Sequence, residues 1–192
     1  MDEPYIKFDR DRFKNGVHFV ISRCDPTDLG NVKLHKILYF ADFLHFMNHG
    51  TPLTGVDYLK QQFGPTARHL GSVLEELTNE GRVRVSTRKF YGFDKKDFIS
   101  LEDPAPSKIG NDAQALLIDV IDFVCGRSAK EISELSHDRA WEAACMGERI
   151  PYAAVFGLQP VEVTEENIRD CVDEVRSARP KIEAERRESH VL

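Results

Sequence analysis

The sequence has no CxxC or CxxxC pair, no tract of low complexity and no internal repeat. It also lacks any apolar run approaching the about 20 residues that a membrane-spanning helix needs. Its four cysteines, Cys24, Cys125, Cys145 and Cys171, stand far apart, which excludes a zinc knuckle or a redox dithiol of short spacing. They read as reduced, small packing residues. The N-terminal stretch MDEPYIKFDRDRF is charged and has no apolar core followed by small residues, so a secretory signal is not expected and a cytoplasmic address is. GxGxxG, GxxxxGK[ST] and GxSxG are all missing, leaving nucleotide-binding and hydrolase readings without an anchor.

What is present is ordinary for a globular protein: 192 residues, 41% hydrophobic and 30% charged. That length suits one domain with an appendage. The net charge of −6 is uneven, with 15 Lys+Arg against 13 Asp+Glu in residues 1–100 and 11 against 19 in residues 101–192. An acidic C-terminal half argues against general binding to nucleic acid or anionic membrane.

Phe13, Val17, Val20, Ile21 and Cys24 define one face of a helix from about Asp9 to Arg23. Asn31 is placed to cap the next helix, KLHKILYFADFLHFMNH, whose core face is Leu34, Ile37, Leu38, Ala41 and Leu44. Tyr39, Phe40, Phe43, Phe46 and Met47 fill its other side, so it is central to the fold or keeps a face for a partner. Gly64-Pro65 is expected to start a helix carrying Ala67, Leu70, Val73, Leu74 and Leu77, ended by Gly81. RVRVS and DFISL, joined through TRKFYGFDKK, predict a β-hairpin. Helices follow over about Asn111 to Cys125, after the Ser128/Glu131 capping box, and around Trp141. Thr164 is expected to cap a last helix with face Ile168, Cys171, Val172 and Val175, ahead of a frayed tail beyond Pro180.

Three constellations bear on chemistry. His45 and His49, four apart, have the spacing of two zinc ligands, but Phe46 stands where a metalloprotease has its glutamate, and a helix end is the plainer reading. His137, Asp138 and Cys145 contain the residue types of a nucleophilic triad without an oxyanion-hole signal. Arg82, Arg84, Arg88, Lys89, Lys95 and Lys96, interleaved with Phe90, Tyr91 and Phe93, make the hairpin a basic wing able to clamp phosphates. Glu75, Glu76 and Glu80 on the preceding helix oppose that use.

Lys33 to Leu77 resembles the Panacea antitoxin domain, also called the SocA-like or GepA-like domain, through KLHKILYFAD, the turn GTPLTG, the aromatic Tyr58 and FGP ahead of a helix. ELSHDRAWEAACMGERIPY, Glu134 to Tyr152, is similar to the family's downstream element, so the likeness spans about Phe13 to Phe156. The chain departs from the family in its extension after about Leu158, and no fused DNA-binding or zinc module is expected ahead of the domain. The resemblance implies an antitoxin that neutralises a cognate toxin protein by direct contact, or in one variant delivers it to a cytoplasmic protease, with no catalysis and no cofactor. Its motif residues, Leu34, Lys36, Leu38, Tyr39, Phe40, Gly55, Tyr58, Gly64, Pro65, His137 and Trp141, are expected to be architectural.

The expectation is a mainly α domain over residues 1–158, with a winged-helix-like helix-turn-helix and one β-hairpin, and a C-terminal helix and tail over 159–192. Lys36, Asp42, Arg68, Arg84, Arg88, Lys89, Tyr91 and Trp141 are the residues expected to meet the partner. For Lys36, Asp42, Arg68 and Trp141 internal packing stands level with that role; the six-residue spacing of Lys36 and Asp42 sends their partners to other elements. The alternative function is a nucleic-acid binder acting through Arg84, Arg88, Lys89 and Lys95 of the wing.

Overall fold

The computed structural model describes residues 6–90, 92–104, 109–158 and 169, and of Phe90, Phe93 and Leu158 the backbone alone. Apart from Arg169, these belong to the first of two compact units, Met1–Leu158 and Gln159–Leu192. The expected last helix and tail lie outside the described residues.

Helix α1 (Arg10–Arg23) starts where Asp9 accepts the Arg12 backbone N–H at 2.9 Å. It buries Phe13, Val17, Val20 and Ile21 as their spacing requires. Helix α2 (Asn31–His49) is capped by Gly30 in extended backbone, not by Asn31, which is already helical. Gly50 closes it in the left-handed conformation, φ 69°, donating its N–H to the Phe46 carbonyl. Leu34, Ile37, Leu38 and Ala41 are buried, and so are Tyr39, Phe43 and Phe46 on the other side. The helix is therefore central, packing on α1, on the later helices and on a small hairpin. Each large apolar side chain buried this way contributes about 1.5–3 kcal/mol.

That small hairpin was not expected. Strands β1 (Tyr58–Leu59) and β2 (Thr66–Ala67) pair antiparallel, Tyr58 opposite Ala67, and helix α3 (Leu70–Asn79) begins at Leu70, not at Pro65. The reason is competition for the backbone. The Pro65 carbonyl accepts the Lys36 ammonium, the Ala67 N–H goes to His35 and the Arg68 N–H goes to the Asp57 carbonyl, so none of these groups serves a helix. The apolar stripe Leu70, Val73, Leu74 and Leu77 is buried as read, and Gly81 follows its end at φ 73°.

Strands β3 (Val83–Phe90) and β4 (Phe93–Ser100) form the wing, in register from Val83↔Ser100 to Phe90↔Phe93, so much of the expected connection is itself strand. Helix α4 (Asn111–Cys125), α5 (Ala129–Leu135) and the short α6 (Arg139–Ala143) follow, then a 3₁₀ segment Tyr152–Leu158. Ser128 and Glu131 form the expected capping box. The architecture is mainly α, with helices α1 to α3 leading into a wing and a second antiparallel pair inserted before α3.

Candidate functional site

One flank of α2 carries a polar stripe, His35, Lys36, Tyr39 and Asp42, buried among the helix's apolar side chains. Unpaired, such groups would make burial costly. Each is met by a different element. His35 Nδ1 accepts the Ala67 N–H at 3.0 Å, which puts the ring proton on Nε2; burial and the neighbouring Lys36 hold its pKa down at about 3. The Lys36 ammonium, 2% exposed, donates to the Pro65 carbonyl at 2.8 Å, and burial lowers its pKa to about 7.

Tyr39 donates to Asp138 at 3.0 Å, and the other oxygen of Asp138 caps α6 by accepting the Trp141 N–H at 2.9 Å. Burial raises the pKa of Asp138. Asp42, fully buried, accepts from the Thr54 N–H at 2.6 Å, the Thr54 hydroxyl at 2.7 Å and the Tyr58 hydroxyl at 2.7 Å. Burial pushes its pKa up, and these donors oppose the rise. Around them Tyr39, Phe43, Tyr58 and Tyr152 pack as an aromatic cluster, and Tyr152 donates to the Val56 carbonyl at 2.7 Å.

The turn residues make this assembly possible. A Cβ on Gly64, at φ 90°, would lie 2.3 Å from the Ser136 hydroxyl and 2.9 Å from Lys36 Cε. One on Gly55, at φ 71°, would lie 2.5 Å from the Lys7 carbonyl oxygen. Glycine permits both the positive φ and the close approach.

Trp141 is half-buried at the edge of the network. Its indole N–H donates to the Gln61 carbonyl at 3.2 Å, His137 stacks on its ring at 4.1 Å, and the Lys60 ammonium lies 4.1 Å from its centroid. Leu34 and Leu38 are buried, and Phe40 is partly covered with its ring 6.2 Å from that of Phe123. Lys36 and Asp42 thus belong to one buried network, with Trp141 half-buried at its edge. Arg68 lies apart from it, exposed and 3.4 Å from Asp57.

The wing is less free in its charge than its composition suggests. Arg88 and Lys95 converge on Asp97, at 2.5 and 3.2 Å, and both reach the Thr27 carbonyl, tying the wing to the loop after α1. Lys89 pairs with Asp94 at 2.6 Å, and Arg82 with Glu102 at 2.7 Å. Arg84 and Lys96 are exposed. Asp97 lies one position past the basic run, and its strand register brings it back among the cations. Glu76 and Glu80 are held by Arg10 and Lys14 of α1, while Glu75 is exposed. Tyr91 lies outside the described residues.

The other constellations have local explanations. His45 donates from Nδ1 to the Thr51 carbonyl at 2.6 Å and packs its ring on His49 at the helix end. Among the described residues no three of His, Cys, Asp and Glu gather with metal-binding geometry. The carboxylate of Asp138 is engaged by Tyr39 and Trp141, and Cys145 is exposed.

The family model described as antitoxin SocA-like, Panacea domain, matches residues 34–142. The chain belongs to the SocA-like antitoxin family. The matched span runs from α2 to α6, so this Panacea domain contains both halves of the polar network, from His35 through Gly64 to Trp141. Helix α1 and the 3₁₀ segment fall outside it, so the match is shorter at both ends than the expected likeness from Phe13 to Phe156. No curated protein and no solved structure matches the chain. No helix among the described residues is long and apolar enough to cross a membrane.

Proposed function

We propose that this Panacea protein is the antitoxin of a toxin–antitoxin pair and neutralises its cognate toxin by direct binding in the cytoplasm, with neither catalysis nor cofactor. The observation that carries the reading is the closure of the α2 network. Lys36, Tyr39 and Asp42 are buried and spent on internal hydrogen bonds, leaving them to fix a scaffold instead of reacting with a substrate. Residues 1–158 are that scaffold, and residues 159–192 are an appendage.

Partner contact falls to what the scaffold displays. Arg68, Arg84, Arg88, Lys89 and Trp141 are assigned to it, as is Tyr91 on the sequence reading alone, with Lys36 and Asp42 acting beneath the surface by holding the FGP and GTPLTG turns. Exposed Asp119 and Asp122 on α4, beside Ile118 and Phe123 at 42% and 43% exposure, offer a separate acidic surface suited to a basic segment of the partner with apolar anchors. The nucleic-acid alternative is weakened because Arg88, Lys89 and Lys95 already face carboxylates.

Co-expression with the product of the neighbouring reading frame tests the reading. Restored host growth with a stoichiometric complex is the expected result; restored growth with loss of the partner protein indicates delivery to a protease. A neighbour that is harmless alone and does not co-purify overturns the proposal.

A further inference from the structure

Cys24 and Cys125 are 101 residues apart in sequence, yet their sulfurs lie 3.9 Å apart. Both are free thiols at helix ends: Cys24 follows the last residue of α1 in extended backbone, and Cys125 is the last residue of α4. A disulfide needs sulfurs about 2.05 Å apart, so closure asks these two helix ends to approach by about 2 Å. Cys24 is buried and Cys125 partly exposed, which makes Cys125 the thiol that a small oxidant meets first.

We propose that Cys24 and Cys125 are a reversible thiol–disulfide pair, oxidised by a hydroperoxide, that braces the end of α1 to the end of α4. The local chemistry assigns each sulfur a role. The two thiols share a hydrogen bond that, with Lys33 nearby, holds the Cys125 pKa down, while burial and Asp28 oppose them. The Cys24 pKa is raised, chiefly by the same hydrogen bond and then by burial. Lys33, itself buried, is held 2.5 Å from Asp28, with its ammonium 3.5 Å from the Cys125 carbonyl oxygen.

Cys125 is therefore the attacking sulfur and Cys24 the resolving one. In the first step the Cys125 thiolate attacks one peroxide oxygen; the S–O bond forms, the O–O bond breaks and hydroxide or alkoxide leaves. In the second the Cys24 sulfur attacks the sulfenic sulfur; the S–S bond forms, the S–O bond breaks, and the departing oxygen takes the Cys24 proton to leave as water. The two sulfurs together lose two electrons and the peroxide gains them. The brace closes a long loop and crosses beside the start of α2, so it constrains the unfolded chain strongly. Because Thr27, in the loop after Cys24, anchors Lys95 and Arg88, the brace also fixes the base on which the wing rests.

Treating the purified full-length chain with hydrogen peroxide, alkylating residual thiols and mapping peptides without reduction tests the proposal. The expected product is a Cys24–Cys125 cross-linked peptide within one chain, reversed by dithiothreitol, formed equally in Cys145→Ser, and accompanied by a melting temperature at least about 5 °C higher. In Cys24→Ala, Cys125 should instead be trapped by dimedone as the sulfenic acid. Absence of the 24–125 peptide in the wild-type chain, a cross-link to Cys145 or Cys171 in its place, or a cross-linked chain with unchanged melting would each overturn it.

Discussion

Tyr39 and Asp138, 99 residues apart, are joined by a hydrogen bond of 3.0 Å that links the central helix to the cap of α6. The two stretches that carry the family likeness therefore meet in space. The junction is polar and internal, with Asp138 also ordering Trp141 through the backbone.

Replacing Tyr39 by Phe removes the donor and keeps the ring among Phe43 and Tyr58. It should cost about 1–2 kcal/mol of stability, because a half-buried carboxylate oxygen loses its partner. Trp141 is the only tryptophan in the chain, so urea unfolding followed by its fluorescence reads the effect where it arises. An unchanged midpoint would mean that water replaces the hydroxyl without penalty.

Two glycines with positive φ separate backbone strain from crowding. At Gly50, φ 69°, nothing lies within 4 Å of an added Cβ, so Gly50→Ala should cost only the left-handed penalty of about 1–2 kcal/mol. At Gly64 the added atom meets Ser136 and Lys36 as well, and Gly64→Ala should cost at least about 3 kcal/mol. Equal losses in thermal or urea melts would show that the FGP turn is not packed as described.

Much of this architecture was legible from spacing. The amphipathic faces of α1, α3 and α4, the two-sided character of α2, the wing and the Ser128 cap follow from local patterns that the tertiary structure reinforces. The start of α3 was not legible, because Gly64-Pro65 is locally an adequate helix start and is overruled by His35 and Lys36, about 30 residues earlier. Asp97 was missed because it lies just past the basic run. His35, Thr54 and Asp138 had a faint signal in the polar spacing of α2. The Cys24–Cys125 approach had none, since it depends on how α1 and α4 pack around α2.

Lys36 should give the fold a measurable pH dependence. Burial brings its pKa from 10.5 to about 7, so between these values the unfolded chain holds the proton and the fold does not. Stability therefore rises as pH goes from about 7 towards 10.5 and is lost as pH falls through 7. Chemical unfolding of the wild type and of Lys36→Met over this range should show a difference that grows with pH by up to about 5 kcal/mol. A difference independent of pH would contradict the burial of this ammonium.

The wing should bind nucleic acid weakly. With Arg88 and Lys95 held by Asp97 and Lys89 by Asp94, anisotropy titrations of duplex DNA should give a log–log salt slope shallower than about −3. Asp97→Asn, which removes the carboxylate that neutralises Arg88 and Lys95, should steepen it by up to about 2. A steep slope in the wild-type protein would restore the nucleic-acid reading.

Neutralisation by contact differs from any catalytic mechanism in its stoichiometry. Purified chain titrated into a fixed concentration of its cognate toxin, well above the dissociation constant, should lower toxin activity in a straight line to a sharp end point at a fixed molar ratio. Complete loss of toxin activity at a small fraction of that ratio, increasing with time, would reveal turnover and contradict the account.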